Sequence, residues 1–146
     1  MQITNKFTLA VHIICATEYF KNKLNVTSSL LSSSTGANPV VVRTIMSSLK
    51  EAGILDISQG KTGIGLKRPI TEINLFDVYK AVDSLNKDNL FHFHDDINMN
   101  CPVGKNIHYA LDGKLIKIQE SMYKQMQDIK ISDVYDDLIN SINKGV

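Results

Sequence analysis

The sequence predicts a mainly α-helical protein with a small β-wing: a winged helix-turn-helix followed by a long C-terminal helix suited to dimerisation. Three observations carry that expectation. Two short apolar-periodic segments are joined by the tight turn Thr35-Gly36-Ala37, a glycine-punctuated ribbon follows Gly53, and a long apolar stripe runs on from Pro102.

The first helix is expected over Asn5–Phe20, with Phe7, Ala10, Val11 and Ile14 spaced for one buried face. Cys15 reads as a small buried hydrophobe rather than a reactive thiol, because free cysteine is among the most buried residue types. Thr27 can cap a second helix carrying Leu30 and Leu31, which Gly36 ends by supplying a conformation other residues enter at a cost. Asn38 and Pro39 then open a third helix as N-cap and first helical residue. Its apolar stripe is Val42, Ile45, Met46 and Leu49, and Gly53 terminates it. The opposite face carries Val40, Arg43, Thr44, Ser47 and Lys50, short polar groups and two cations able to enter a major groove.

The ribbon is expected over Ile54–Ser58 and about Gly65–Lys67, joined by Gln59-Gly60-Lys61-Thr62-Gly63. Its glycines flank a hairpin rather than a strand-to-helix turn, and the Walker pattern is absent, so nucleotide binding is discounted. A tip bearing Lys61 and followed by Lys67 and Arg68 suits a phosphate backbone or a minor groove. Asn74 caps the next helix, Asp77 favours its first turn, and Ile73 can staple onto Val78; the helix ends near Ser84. Polar residues Asn86–Asn100 follow as a loop. From Pro102 to about Ile129, Ile107, Leu111, Leu115, Ile118, Met122, Met126 and Ile129 recur at gaps of three or four, a stripe of about seven turns. One small domain has little interior to cover it, so it is expected both to cross the winged-helix core and to pair with a second copy. Ser132 caps a last helix with Val134, Leu138 and Ile142, free to fold back on its own domain or on the partner. The domains read as 1–85, winged helix; 86–101, a sensor-type loop; and 102–146, the dimerisation and C-terminal helices.

Whole-chain properties agree. At 146 residues, 43% hydrophobic and 21% charged, the usage is that of one ordinary globular domain with an appendage. Two distant cysteines make no disulfide framework, so both thiols are expected free in a reducing cytoplasm. The N-terminus reads as an amphipathic helix rather than a signal peptide, and no run reaches the ~20 apolar residues of a membrane span. The net charge of +1 divides into +4 over residues 1–80 and −3 over residues 81–146. A basic front half fits a polyanion partner, although scatter in surface charge gives the same balance.

The run FHFHDDINMNCPVGKNIH, residues 91–108, concentrates three histidines, a cysteine and two aspartates. Donor atoms are plentiful, but the spacing of His92, His94, Cys101 and His108 fits no standard zinc pattern, and no metal is expected. Cys101 precedes a helix N-terminus, where unpaired amides favour the thiolate, and Lys105 and His108 can add to this. A thiol switch at Cys101 and a mere packing role stay equally open. The His92/His94 pair reads as surface or packing before ligand.

The segments KFTLAVHII, ANPVVVRTIMSSLKEAGIL, GKTG, EINLFDVYKAVD and NCPVGKNI, in that order over nearly the whole chain, resemble the Rrf-two family of bacterial winged-helix transcriptional regulators, and its YwnA-like branch most. The resemblance implies a homodimer on a roughly palindromic double-stranded DNA operator, with the long helices crossing between subunits and the helix from Pro39 as recognition helix. The DNA-binding residues it points to are Ser28, Asn38, Pro39, Val40, Arg43, Thr44, Ser47, Lys50, Lys61, Thr62 and Lys67, and the sensor residues Cys101, His92 and His94. The wing departs from the family pattern: Gln59 stands where an arginine is frequent, and Gly63-Ile64-Gly65 replaces paired glycines before an aromatic. Several members hold an iron-sulfur cluster on three loop cysteines; with Cys101 alone here, no cofactor is expected.

The function expected is therefore a DNA-binding repressor, not an enzyme, responsive to a thiol oxidant or a small effector. The competing reading is a protein-interaction module docking on an enzyme through its long helix with little DNA affinity. A hydrolase built on Cys101 with His92 or His94 is set aside, since the loop offers no evident oxyanion donors beyond the helix start.

Overall fold

A central helix, α1 (Asn5–Phe20), organises the computed structural model, which describes residues 3–58, 63–83, 90–91 and 93–145. The wing tip with Lys61 and Thr62, the residues from Ser84 through Asn86 to Asn89, and His92 lie outside the described residues. The single buried face expected for α1 is too narrow. Ala10 and the unbroken run Ile13, Ile14, Cys15, Ala16 and Thr17 are buried, while Phe7 and Val11 are only half-buried. The reason is tertiary: α1 is packed by neighbouring helices and by the wing on several sides. Thr17 is satisfied within this apolar setting by donating to the Ile13 carbonyl at 2.7 Å.

The helix-turn-helix forms through local capping. In α2 (Ser28–Thr35) the Leu30 N–H donates to the Thr27 hydroxyl at 3.1 Å, and Gly36 closes the helix at φ +70°. In α3 (Pro39–Glu51) the Val40 N–H donates to the Asn38 side-chain oxygen at 2.8 Å, with Pro39 in the first turn. Val42, Ile45, Met46 and Leu49 are buried, as the stripe requires. Gly53, at φ +75°, turns the chain into the wing.

The wing is shorter than expected in its first strand and starts one residue earlier in its second. β1 (Leu55–Ile57) pairs antiparallel with β2 (Ile64–Leu66), Leu55 opposite Leu66 and Ile57 opposite Ile64. Its base is held by Ile64 N–H donating to the Val26 carbonyl at 2.8 Å and Lys67 N–H to the Ile54 carbonyl at 2.9 Å. Gly63 takes φ +86° beside this anchor. After a short 3-10 turn, Ile70–Glu72, α4 (Leu75–Val82) opens on a reciprocal cap: Asp77 N–H to the Asn74 side chain at 2.8 Å, Asn74 N–H to the Asp77 carboxylate at 3.1 Å. Ile73 and Val78 are both fully buried.

α5 (Pro102–Asp128) has 27 residues and so spans ~40 Å. Its C-terminal half is fixed to α4 through Tyr123, whose ring lies 4.9 Å from Phe76 and 5.7 Å from Tyr79. Met126 alone on the helix is buried; further up the stripe Leu111 is 37% and Ile118 54% exposed. α6 (Ile131–Asn143) folds back on its own domain, with Ile131 buried and Val134 and Tyr135 packed against the core. Its cap differs from expectation. Ser132 lies inside the first turn, and it is the Lys130 N–H that donates to the Asp133 carboxylate at 2.9 Å. The chain there is pinned to the start of α4, Ile131 N–H to Ile73 carbonyl at 2.8 Å and Leu75 N–H to Ile129 carbonyl at 2.9 Å, which starts the helix earlier. No helix among the described residues is long and apolar enough to cross a membrane.

Candidate nucleic-acid interface

Burial of one α3 stripe forces the other into solvent. Asn38, Pro39, Val40, Arg43, Thr44, Ser47 and Lys50 are all exposed on one continuous surface, and Ser28 sits half-buried at the start of α2. Arg43 and Lys50 form no ion pair among the described residues, leaving two cations for an anionic partner. Some polar groups are already committed. The Asn38 oxygen caps the helix, and the Thr44 hydroxyl donates to the Val40 carbonyl at 2.9 Å. Val41, absent from the residues expected on this face, is also exposed, three residues before Thr44.

Lys67 is exposed just beyond β2. Arg68 is turned inward instead, 3.8 Å from the Asp77 carboxylate, and ties the end of the wing to α4. Lys61 and Thr62 lie outside the described residues.

Residues 93–101 are laid along the first half of α5. Phe93 and His94 contact His108, with ring centroids 6.1 and 5.2 Å away. His108 bridges two acceptors, the His94 carbonyl at 2.8 Å from Nε2 and the Asp112 carboxylate at 3.0 Å from Nδ1. Only the protonated ring can donate to both. The Asp112 bond raises the His108 pKa above the usual value, partial burial opposes this, and the His94 carbonyl supports it. Gly104 is required by close approach: a Cβ there would stand 2.6 Å from the Asn98 carbonyl oxygen.

Cys101 is half-buried at the N-cap of α5 and makes no ordinary side-chain capping bond. The Gly104 and then the Val103 amide nevertheless hold its pKa below the usual thiol value. Lys105 and His108 are not among the causes, contrary to expectation, and His108 is engaged with His94 and Asp112. Cys15 is the opposite case: desolvation, then the Glu18 charge, push its pKa up to about 11. Both thiols are free.

Fold and exposed face together define the class, a winged-helix DNA-binding transcriptional regulator. The model of the Rrf2 family, described as iron-dependent transcriptional regulators, matches residues 3–137. A Bacillus subtilis (strain 168) protein designated the HTH-type transcriptional regulator YwnA is 34% identical over 136 residues, 93% of this chain and 98% of that protein. A crystal structure described as that of a DNA-binding protein is 31% identical, with TM-score 0.67, covering 88% of this chain and 97% of that one. A transcriptional regulator from Lactobacillus plantarum shares the fold at TM-score 0.72 and 24% identity, covering 92% and 89%. The chain belongs to the Rrf2 family and is a transcriptional regulator, not an enzyme.

The iron in the family's description would require a converging set of donors. Among the described residues no three His, Cys, Asp or Glu side chains converge to hold a metal ion. Cys15 is buried in α1, which leaves Cys101 as the loop's one thiolate. That set does not fit a cluster held by three cysteines.

Proposed function

We propose that the chain is a sequence-specific repressor that binds a roughly palindromic operator as a homodimer in the reducing cytoplasm. The observation that carries this reading is the exposed face of α3, where Arg43, Thr44, Ser47 and Lys50 sit opposite a fully buried stripe. Arg43 and Lys50 are assigned to base or phosphate contact, Lys61, Thr62 and Lys67 to the backbone along the wing. The dimer reading is supported by two apolar surfaces the monomer leaves open. One is the front half of the α5 stripe. The other is a cavity of about 430 Å³ between α1 and α6, lined by Val11, Cys15, Ala16, Val134, Leu138 and Ile142. The loop of His92, His94 and Cys101 is assigned to sensing, by thiol oxidation or a small effector, because Cys101 is partly accessible and its thiolate is favoured by the Gly104 and Val103 amides. Docking on an enzyme through α5 would use the same stripe but leave the cationic face of α3 without a role.

The test is footprinting of the protein's own promoter region, with Arg43→Ala as the first variant. The variant is expected to lose ~1–3 kcal/mol on the operator if Arg43 reads a base edge, and as much on random DNA if it holds a phosphate. Absence of any protected palindrome at moderate salt refutes the repressor reading. Sedimentation of Leu111→Asp, expected to be monomeric, tests the dimer separately. Operator binding before and after diamide, for wild type and Cys101→Ser, tests the thiol.

A further inference from the structure

The N-terminal end of the candidate DNA-facing surface is apolar, and folding does not explain why. Of the three consecutive valines in α3, only Val42 is buried; Val40 is 62% and Val41 38% exposed. Valine is a weaker helix former than alanine, because its branched Cβ loses χ1 freedom in a helix. An exposed valine in the first turn therefore benefits neither the helix nor the core. Its position is specific. Arg43, Thr44 and Ser47 follow Val40 by three, four and seven residues, so Val40 begins the stripe that these residues continue. Thr44 adds to the apolar character, since its hydroxyl hydrogen is spent on the Val40 carbonyl at 2.9 Å. In helix-turn-helix proteins the N-terminal residues of the recognition helix meet the base edges. Of the groups that base pairs display in the major groove, the thymine 5-methyl is the apolar one.

We propose that Val40, with Val41 beside it, reads a thymine in each operator half-site through its 5-methyl group. The stiff valine side chain loses little rotamer freedom on contact, while Arg43 on the same face supplies the charged contact next to it. This assignment rests on the operator-binding reading above and names one base that reading must include.

The experiment uses the full-length chain. Duplexes are selected from a random pool, and each thymine of the selected site is then replaced in turn by deoxyuridine, which removes one methyl and leaves the hydrogen-bonding edge intact. One position per half-site is expected to weaken wild-type binding by about fourfold, the worth of one buried methylene-sized group. Val40→Ala is expected to melt no lower than wild type and to bind thymine and deoxyuridine duplexes equally. Indifference of the wild type to deoxyuridine at every position overturns the proposal. So does a selected site without thymine, or a thymine preference that persists undiminished in Val40→Ala. Failure to select any duplex removes the operator reading itself, an outcome distinct from binding without methyl sensitivity.

Discussion

Asn38 serves the fold and faces the proposed ligand, and two substitutions separate these roles. Its side-chain oxygen accepts from the Val40 N–H at 2.8 Å, and its carbonyl from the Val42 N–H at 3.0 Å. Pro39 has no N–H, so the cap relieves one of the few remaining unpaired donors at the start of α3. Asn38→Ala deletes that bond. Because the helix start is exposed, water takes up part of the loss, and ~1 kcal/mol is expected from the usual range of capping substitutions. For a domain of this size that lowers Tm by roughly 3–5 °C. Asn38→Asp keeps the acceptor and adds a negative charge at the positive end of the helix, so Tm is expected to hold or rise. The same charge would face DNA phosphates, and operator affinity is expected to fall with a marked salt dependence. Calorimetry and fluorescence-anisotropy titrations on both variants make the comparison. An unchanged Tm in Asn38→Ala refutes the capping argument, and undiminished operator binding by Asn38→Asp refutes the placement of this helix end against DNA.

Three further outcomes follow from the same geometry. Gly36→Ala, at φ +70° with open space around it, is expected to cost ~1–2 kcal/mol of unfolding free energy, whereas Gly63→Ala, at φ +86° with a Cβ 2.5 Å from Asn25 Oδ1 and 3.3 Å from the Val26 carbonyl, is expected to cost more by urea denaturation. Iodoacetamide at neutral pH should label Cys101 in the native protein and Cys15 only after unfolding, because the Gly104 and Val103 amides lower one pKa and burial raises the other to about 11; peptide mass spectrometry reads the order. His108 has a raised folded-state pKa, so its stabilising contribution is complete below the unfolded value and is lost as pH rises through the folded one; histidine NMR titration should place it above the usual 6.5, and Asp112→Asn should bring it back down.

Much of the fold could be read because it is written over short distances. The Thr27 and Asn38 caps, the turn at Gly36, the Asn74/Asp77 capping box and the α3 stripe each depend on residues within about seven positions. α1 departs from its periodic pattern for the opposite reason. Its apolar spacing marks one face, but contacts from other helices and the wing bury five consecutive positions, including Cys15 and Thr17. The start of α6 likewise shifted because residues 129–131 pair with the chain around Asn74, more than fifty positions away.

The candidate site divides in the same way. The cationic helix face and its polar donors follow from the sequence alone, since any helix that buries Val42, Ile45, Met46 and Leu49 must expose Arg43, Ser47 and Lys50. The His94 contact of His108, the inward turn of Arg68 and the exposure of Val41 were decided by the tertiary structure, whereas Asp112 meets His108 one turn on in the same helix. His94 and Asp77 reach these side chains from other segments, and whether a valine in a first turn is covered depends on which neighbours fail to arrive. Local periodicity determines which faces a helix has; long-range packing decides which of them meets protein and which is left for a ligand.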